Sequence, residues 1–159
     1  MANNSSITPR YLSSRSSIVT VNSTTRNFKY LNFYGNYLDL PPGIWEVMGG
    51  AFSNGGAIDF VSVGYSTSNG DSVVTSIPAF SNADIEILAN NVGYANASTP
   101  SAPISSDYVF NASDQNTVEA PVLIVSIKDT ARIYVNGAFE SINSTLANCA
   151  VAIYAKRVG

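Results

Sequence analysis

The sequence predicts an all-β fold, a jelly-roll-like antiparallel β-sandwich, and three observations carry that expectation. Short runs of β-branched and aromatic residues recur along the chain, Gly, Pro, Asn and Ser clusters separate them, and no convincing long helical period appears. About seven to nine such runs in a chain this long fit a two-sheet sandwich. A chain of 159 residues also suits one compact core and buries roughly 70% of its unfolded surface.

Taken in order, Ser17 to Val21 is a short β-branched piece, and Phe28 to Tyr34 is rich in aromatic strand formers. Gly35-Asn36 interrupts that run before Tyr37 to Leu40, which reads as either a tight hairpin or a bulge between two strand pieces. Pro41-Pro42-Gly43 then launches a strand carrying the only tryptophan, Trp45, and Gly49-Gly50 removes side chains where a neighbour approaches closely. Ala57 to Tyr65 reads as a strand with both faces partly covered, Ser66 to Asp71 as a turn cluster, and Val73 to Phe80 as a short strand ending near Pro78. Ile85 to Leu88 fits one helical turn or a strand. Asn90 to Ser106, rich in Asn, Ser, Ala and Pro, reads as a long exposed loop. Thr117 to Ile127 and Ala131 to Phe139, joined by Lys128-Asp129-Thr130, read as a hairpin. Leu146 to Val158 closes the fold, with Cys149, Val151, Ile153 and Ala155 on one side and Asn148, Ala150, Ala152 and Tyr154 on the other.

Charge divides the chain unevenly. Arg10, Arg15, Arg26 and Lys29 precede every acid, so the first 29 residues carry +4 and the remaining 130 carry −7, giving the net −3. Residues 1–27 therefore read as an extended basic arm and residues 28–159 as the sandwich, the arm being suited to docking on a negatively charged protein surface. Four dispersed cations are too few to predict nucleic-acid binding. No apolar run is long enough for membrane insertion, and the polar start MANNSSITPR lacks the apolar segment of a secretion signal, so assembly in a cytoplasm is expected.

The chemistry-bearing residues are sparse. With 0 histidines and 1 cysteine, a Ser-His-Asp triad, a Cys-His pair and the usual zinc ligand sets lack their parts. Cys149 lies in an apolar run and reads as a small core residue. The acids Asp84, Glu86, Asp107, Asp114 and Glu119 match no calcium-loop spacing and read as solvated turn residues. Gly49-Gly50 and Gly55-Gly56 sit among strands, outside the strand-to-helix setting of a phosphate loop. The Asn-x-Ser/Thr patterns follow from an Asn-, Ser- and Thr-rich composition. No cofactor, no metal and no enzymatic activity are expected.

Leu40-Pro41-Pro42-Gly43-Ile44-Trp45, Gly64-Tyr65-Ser66-Thr67, Ala131-Arg132-Ile133-Tyr134-Val135-Asn136-Gly137-Ala138-Phe139 and Ala152-Ile153-Tyr154-Ala155-Lys156-Arg157-Val158 together resemble small β-domains of tailed-bacteriophage virion proteins. Those domains share an L-P-x-G-x-W strand and a final I-x-A-x-R strand in a jelly roll similar to tumour-necrosis-factor-like modules. The likeness covers residues 28 to 158. It implies a homotrimer that serves as a capsid decoration or cement protein, or as a tail-fibre tip binding a host surface glycan or protein, without catalysis. Two departures are plain: no long fibrous shaft precedes the domain, and the prolines at 41 and 42 are doubled. The first favours a cement protein or a short fibre over a long one.

A composition of 17 aromatic against 19 charged residues also predicts apolar surface that a trimer interface would cover. Trp45, Phe52, Tyr134, Phe139 and Tyr154 are the candidates for core or subunit contact, plain core being the commoner role of such residues. Tyr65, Tyr94 and Tyr108, beside the turn cluster and the long loop, are the candidates for stacking on a receptor sugar.

Overall fold

The computed structural model describes residues 11–15, 19–21, 30–32, 36–54, 58–67, 73–74, 83–90, 104–109, 116–141 and 147–159. Their strands form two antiparallel sheets. Sheet A holds β1 (Tyr11–Arg15), β2 (Val19–Val21), β5 (Gly43–Asn54), β8 (Ile85–Asn90), β10 (Asn116–Glu119), β11 (Leu123–Ile127) and β13 (Ala147–Arg157). Sheet B holds β3 (Tyr30–Asn32), β4 (Tyr37–Leu40), β6 (Ile58–Ser66), β7 (Val73–Val74), β9 (Ile104–Val109) and β12 (Ala131–Ser141). No helix among the described residues is long and apolar enough to cross a membrane.

Several short strands pair in succession with one long neighbour. β1 and β2 both lie along β13, but Arg15 to Val19 is four steps where Ala152 to Cys149 is three. β3 and β4 share β12 in the same way, with five steps from Asn32 to Tyr37 against four from Ala138 to Tyr134. β3 and β4 therefore do not form a hairpin with each other. β10 and β11 continue along β5, with four steps from Glu119 to Leu123 against three from Gly50 to Val47. At this last step, through Ala120 and Pro121, one extra residue leaves the ladder and bends the strand.

Counting these pairs as single runs and setting β7 and β8 aside, sheet A is ordered first, last, third and sixth, and sheet B second, seventh, fourth and fifth. That interleaving is a jelly roll, and β8 and β7 extend its sheets by one strand each. Two readings from sequence change here. Residues 1–27 do not form an arm outside the sandwich where they are described, because Tyr11–Arg15 and Val19–Val21 supply its first strand. The run ending at Ile127 and the run starting at Ala131 are not a hairpin either, since β11 belongs to sheet A and β12 to sheet B. Leu123, Val125 and Ile127 meet the other sheet across the core in company with Ala131, Ile133 and Val135, all buried. The turn at 128–130 crosses between layers, and Lys128 N–H donates to the Asp84 carbonyl to hold that corner. Ile85–Asn90 is a strand rather than a helical turn, with Ile85 and Ile87 packed against the core.

The core lies between the sheets around Trp45, Val47, Val63, Tyr65, Leu123, Ile133 and Ile153, all fully buried. On β13 Cys149, Val151, Ile153 and Ala155 are buried as the sequence predicts and Ala152 is exposed, but Ala150, expected on the outer side, is buried as well. Gly49 permits the sheets to close: a Cβ there would lie 3.1 Å from Val135 Cγ2 and 3.2 Å from the Tyr65 ring.

Asn36, just before β4, joins the layers. Its buried amide donates to the Val151 carbonyl of β13 at 3.1 Å and to the Ser14 carbonyl of β1 at 3.4 Å, and it accepts from the Ser14 hydroxyl at 2.7 Å. Its own carbonyl accepts from the Val135 N–H of β12. One buried residue thus ties three strands together, its side chain serving backbone carbonyls of β1 and β13 and its own carbonyl the N–H of β12. Asn36→Ala is expected to lower unfolding free energy by about 1–3 kcal/mol in urea titration, because buried groups lose their partner. An unchanged midpoint would show that the bridge contributes nothing.

Candidate functional site

The outer face of sheet A carries a groove of about 570 Å³. Its floor is the cross-strand pair Gly50 of β5 and Ala152 of β13, with Met48 opposite Tyr154 as the next pair along. One wall is β1, through Ser13 and Ser14, and the other is the Glu119–Val122 segment. The local sequence explains that second wall. Pro121 has no N–H to give to a ladder, the strand bulges there, and Ala120 N–H donates instead to the Gly49 carbonyl at 2.8 Å. The segment passes so near β5 that a Cβ at Gly50 would sit 2.7 Å from the Val118 carbonyl oxygen. Gly50 is therefore required by the approach of β10, and its missing side chain also deepens the floor.

Beyond the floor, Tyr154 stacks against Tyr11 with ring centroids 6.0 Å apart and planes tilted by 32°. Tyr11 is exposed. The lining is mostly apolar, with hydroxyl groups on one wall and the Glu119 carboxyl on the other. Such a surface can seat an apolar side chain, or a sugar with its C–H face on Tyr154.

The outer face of sheet B differs in kind. Arg132 forms a two-point ion pair with Asp39, at 2.7 and 2.8 Å, and its guanidinium lies 3.7 Å from the Tyr37 ring centre. Tyr37 in turn packs on Tyr134 at 5.4 Å. The hydrogen bond from Arg132 holds the Asp39 carboxyl below its ordinary range, and the same bond leads the causes that raise Arg132. Asn136 donates to the Ser66 hydroxyl at 2.8 Å beneath this cluster. The exposed ion pair and its two rings read as a rigid surface brace, whereas the buried Asn136 Oδ1 below them has no hydrogen-bond partner.

Of the contact candidates, Trp45 is buried in the core and donates its indole N–H to the Pro41 carbonyl at 2.9 Å. Tyr134 is buried, whereas Phe52 and Tyr154 are half-buried on the outer side of sheet A. Phe139 lies in β12, paired with Leu31 and Val61, and its side chain is outside the described residues. Tyr65 is corrected as a receptor candidate: it faces the core, fully buried, and burial raises its hydroxyl's pKa. Tyr108 lies within β9, opposite Val61, its side chain undescribed, and Tyr94 lies outside the described residues. Among the basic candidates, Arg15 ends β1 opposite Ala152, while Arg10, Arg26 and Lys29 lie outside the described residues. The groove itself was hidden from sequence reasoning, since Gly50 and Ala152 meet only through strand register.

Burial pushes the Cys149 thiol up to about 12. Thiol reagents at pH 8 are expected to leave it unmodified in the folded protein and to label it in denaturant, as read by mass spectrometry. Rapid native labelling would contradict its place in the core.

No family model matches the chain, and no curated protein matches it. A chain in the structure of infectious bursal disease virus, Gx strain, superimposes with a TM-score of 0.40 at 9% identity, over 96% of this chain and 38% of that one. The present chain thus spans well under half of that neighbour's length, and a likeness of this degree carries no argument about function.

Proposed function

We propose that the chain is a non-catalytic structural protein of a virion, a homotrimeric capsid decoration protein that covers junctions between shell subunits. The observation that carries this reading is the outer face of sheet A, where Met48, Phe52, Val122, Ile124 and Tyr154 are only half-buried around the groove. The outward face of an antiparallel sheet is ordinarily polar, and an apolar one marks an interaction surface. The jelly roll and the resemblance of the Leu40–Trp45 and Ala152–Val158 motifs to bacteriophage virion domains support the same reading. Docking on an acidic shell surface falls to the basic N-terminal segment, whose Arg10, Arg15, Arg26 and Lys29 precede every acid in the chain.

A second reading, a short tail fibre or fibre tip that binds a host surface glycan or protein, is favoured by the Tyr154 ring and the Ser13 and Glu119 side chains sharing one groove. Purified protein mixed with undecorated shells is expected to bind at many sites per particle, with Arg10→Glu/Arg15→Glu weakening binding. Binding to host cells or their surface polysaccharide, with no binding to shells, would replace the first reading by the second.

A further inference from the structure

We infer that Asn136-Gly137 is a modification site open only in the unfolded chain, where deamidation of Asn136 withdraws the molecule from folding.

The chain holds three Asn-Gly pairs, Asn54-Gly55, Asn69-Gly70 and Asn136-Gly137. Glycine has no side chain to shield its nitrogen or restrict its backbone, so in such a pair that nitrogen can attack the asparagine amide. As the Gly137 nitrogen gives up its proton it bonds to Asn136 Cγ, the Cγ–Nδ2 bond breaks, and the amide departs as ammonia carrying that proton. Water then opens the five-membered imide at either carbonyl and leaves aspartate or isoaspartate. The two steps exchange ammonia for water and need no oxidant or reductant.

The fold blocks this chemistry at position 136. Ring closure requires the backbone between Asn136 and Gly137 to swing out of the extended form that a strand imposes. Both residues lie in β12, the middle strand of sheet B, laddered opposite Gly64 and Val63 of β6. Both are buried, and the Asn136 amide nitrogen donates to the Ser66 hydroxyl at 2.8 Å. A central strand frees its backbone only in openings close to global unfolding, so the folded pair stays unreacted.

The product does not fit the place it came from. Asn136 is 0% exposed, and its Oδ1 has no hydrogen-bond partner among the described residues. Aspartate would replace the donor Nδ2 by a second acceptor oxygen and bury a charge where one acceptor already lacks a donor. Isoaspartate runs the main chain through the side-chain methylene, adding a backbone atom before Gly137 and throwing the ladder with β6 out of step.

Wild-type protein held in mildly alkaline buffer, native or in guanidinium, tests the first half, with deamidation read site by site by peptide mass spectrometry. At Asn136 the native rate is expected to fall at least about a hundredfold below the denatured rate, since the reaction follows the population of opened chain. A smaller difference overturns the inference. Chains aged in guanidinium are then refolded, and the soluble and aggregated fractions are digested separately. Deamidation at position 136 is expected to be at least about tenfold enriched in the aggregate, because a buried unpaired charge opposes folding. A smaller enrichment shows that the product folds, and overturns the inference as well. Both readings use the parent sequence, so neither depends on a variant that reaches the native state.

Discussion

Deleting residues 1–21 is expected to leave a chain that does not reach its native fold. The deletion removes β1 and β2, which together cover one edge of β13 from Ala147 to Lys156. It also takes away Leu12, which packs against the core, and the Ser14 partner of buried Asn36. A domain of this size is stable by only about 5–15 kcal/mol, and losing an entire strand's pairing and burial consumes most of that margin. The truncated protein should elute as aggregate and show no cooperative thermal transition. The charge pattern alone leads to the opposite expectation, a folded body without its arm. A truncated protein with a native melting profile would therefore restore the arm and remove these strands from the jelly roll.

Trp45→Ala is expected to cost about 3–5 kcal/mol. The indole is fully buried between the sheets, its N–H is held by the Pro41 carbonyl, and the Arg157 guanidinium lies 6.0 Å from its ring centre. Alanine would leave a large void and an unpaired carbonyl at the turn where β5 begins. Trp45→Phe keeps most of the volume and should cost less, with the lost hydrogen bond contributing about 1 kcal/mol. Equilibrium urea unfolding of the two variants separates packing from hydrogen bonding. If both are as stable as the parent, Trp45 is not an organising residue of this core.

Much of the sandwich was legible in the sequence, and its gaps have physical causes. The alternation in Cys149–Ala155 reveals an inward face because a strand's side chains repeat every two residues. The Pro41-Pro42-Gly43 break announces the start of a long strand for the equally local reason that proline cannot serve a ladder. Tyr11-Leu12-Ser13-Ser14-Arg15 gave no such signal. As an outer strand it turns only Leu12 and the polar Ser14 inward, and its place is decided by β13, far away in the chain. Lys128-Asp129-Thr130 fits a hairpin and a crossing between sheets equally well, since both need a polar turn between apolar runs. Only the pairing separates the two, β11 laddering with β5 and β8, and β12 with β3, β4 and β6. The groove has the same origin: Gly50 and Ala152 are small residues in ordinary strands until register makes them neighbours.

The pairing of Tyr11 with Lys156 also sets the order of events during synthesis. The opening strand has no permanent neighbour until the closing one has left the ribosome, and β5 likewise waits for most of its length. Such distant pairing makes for slow, late folding. The nascent polypeptide must therefore stay soluble while its two central strands remain apart, a task to which its Ser- and Asn-rich connections are well matched.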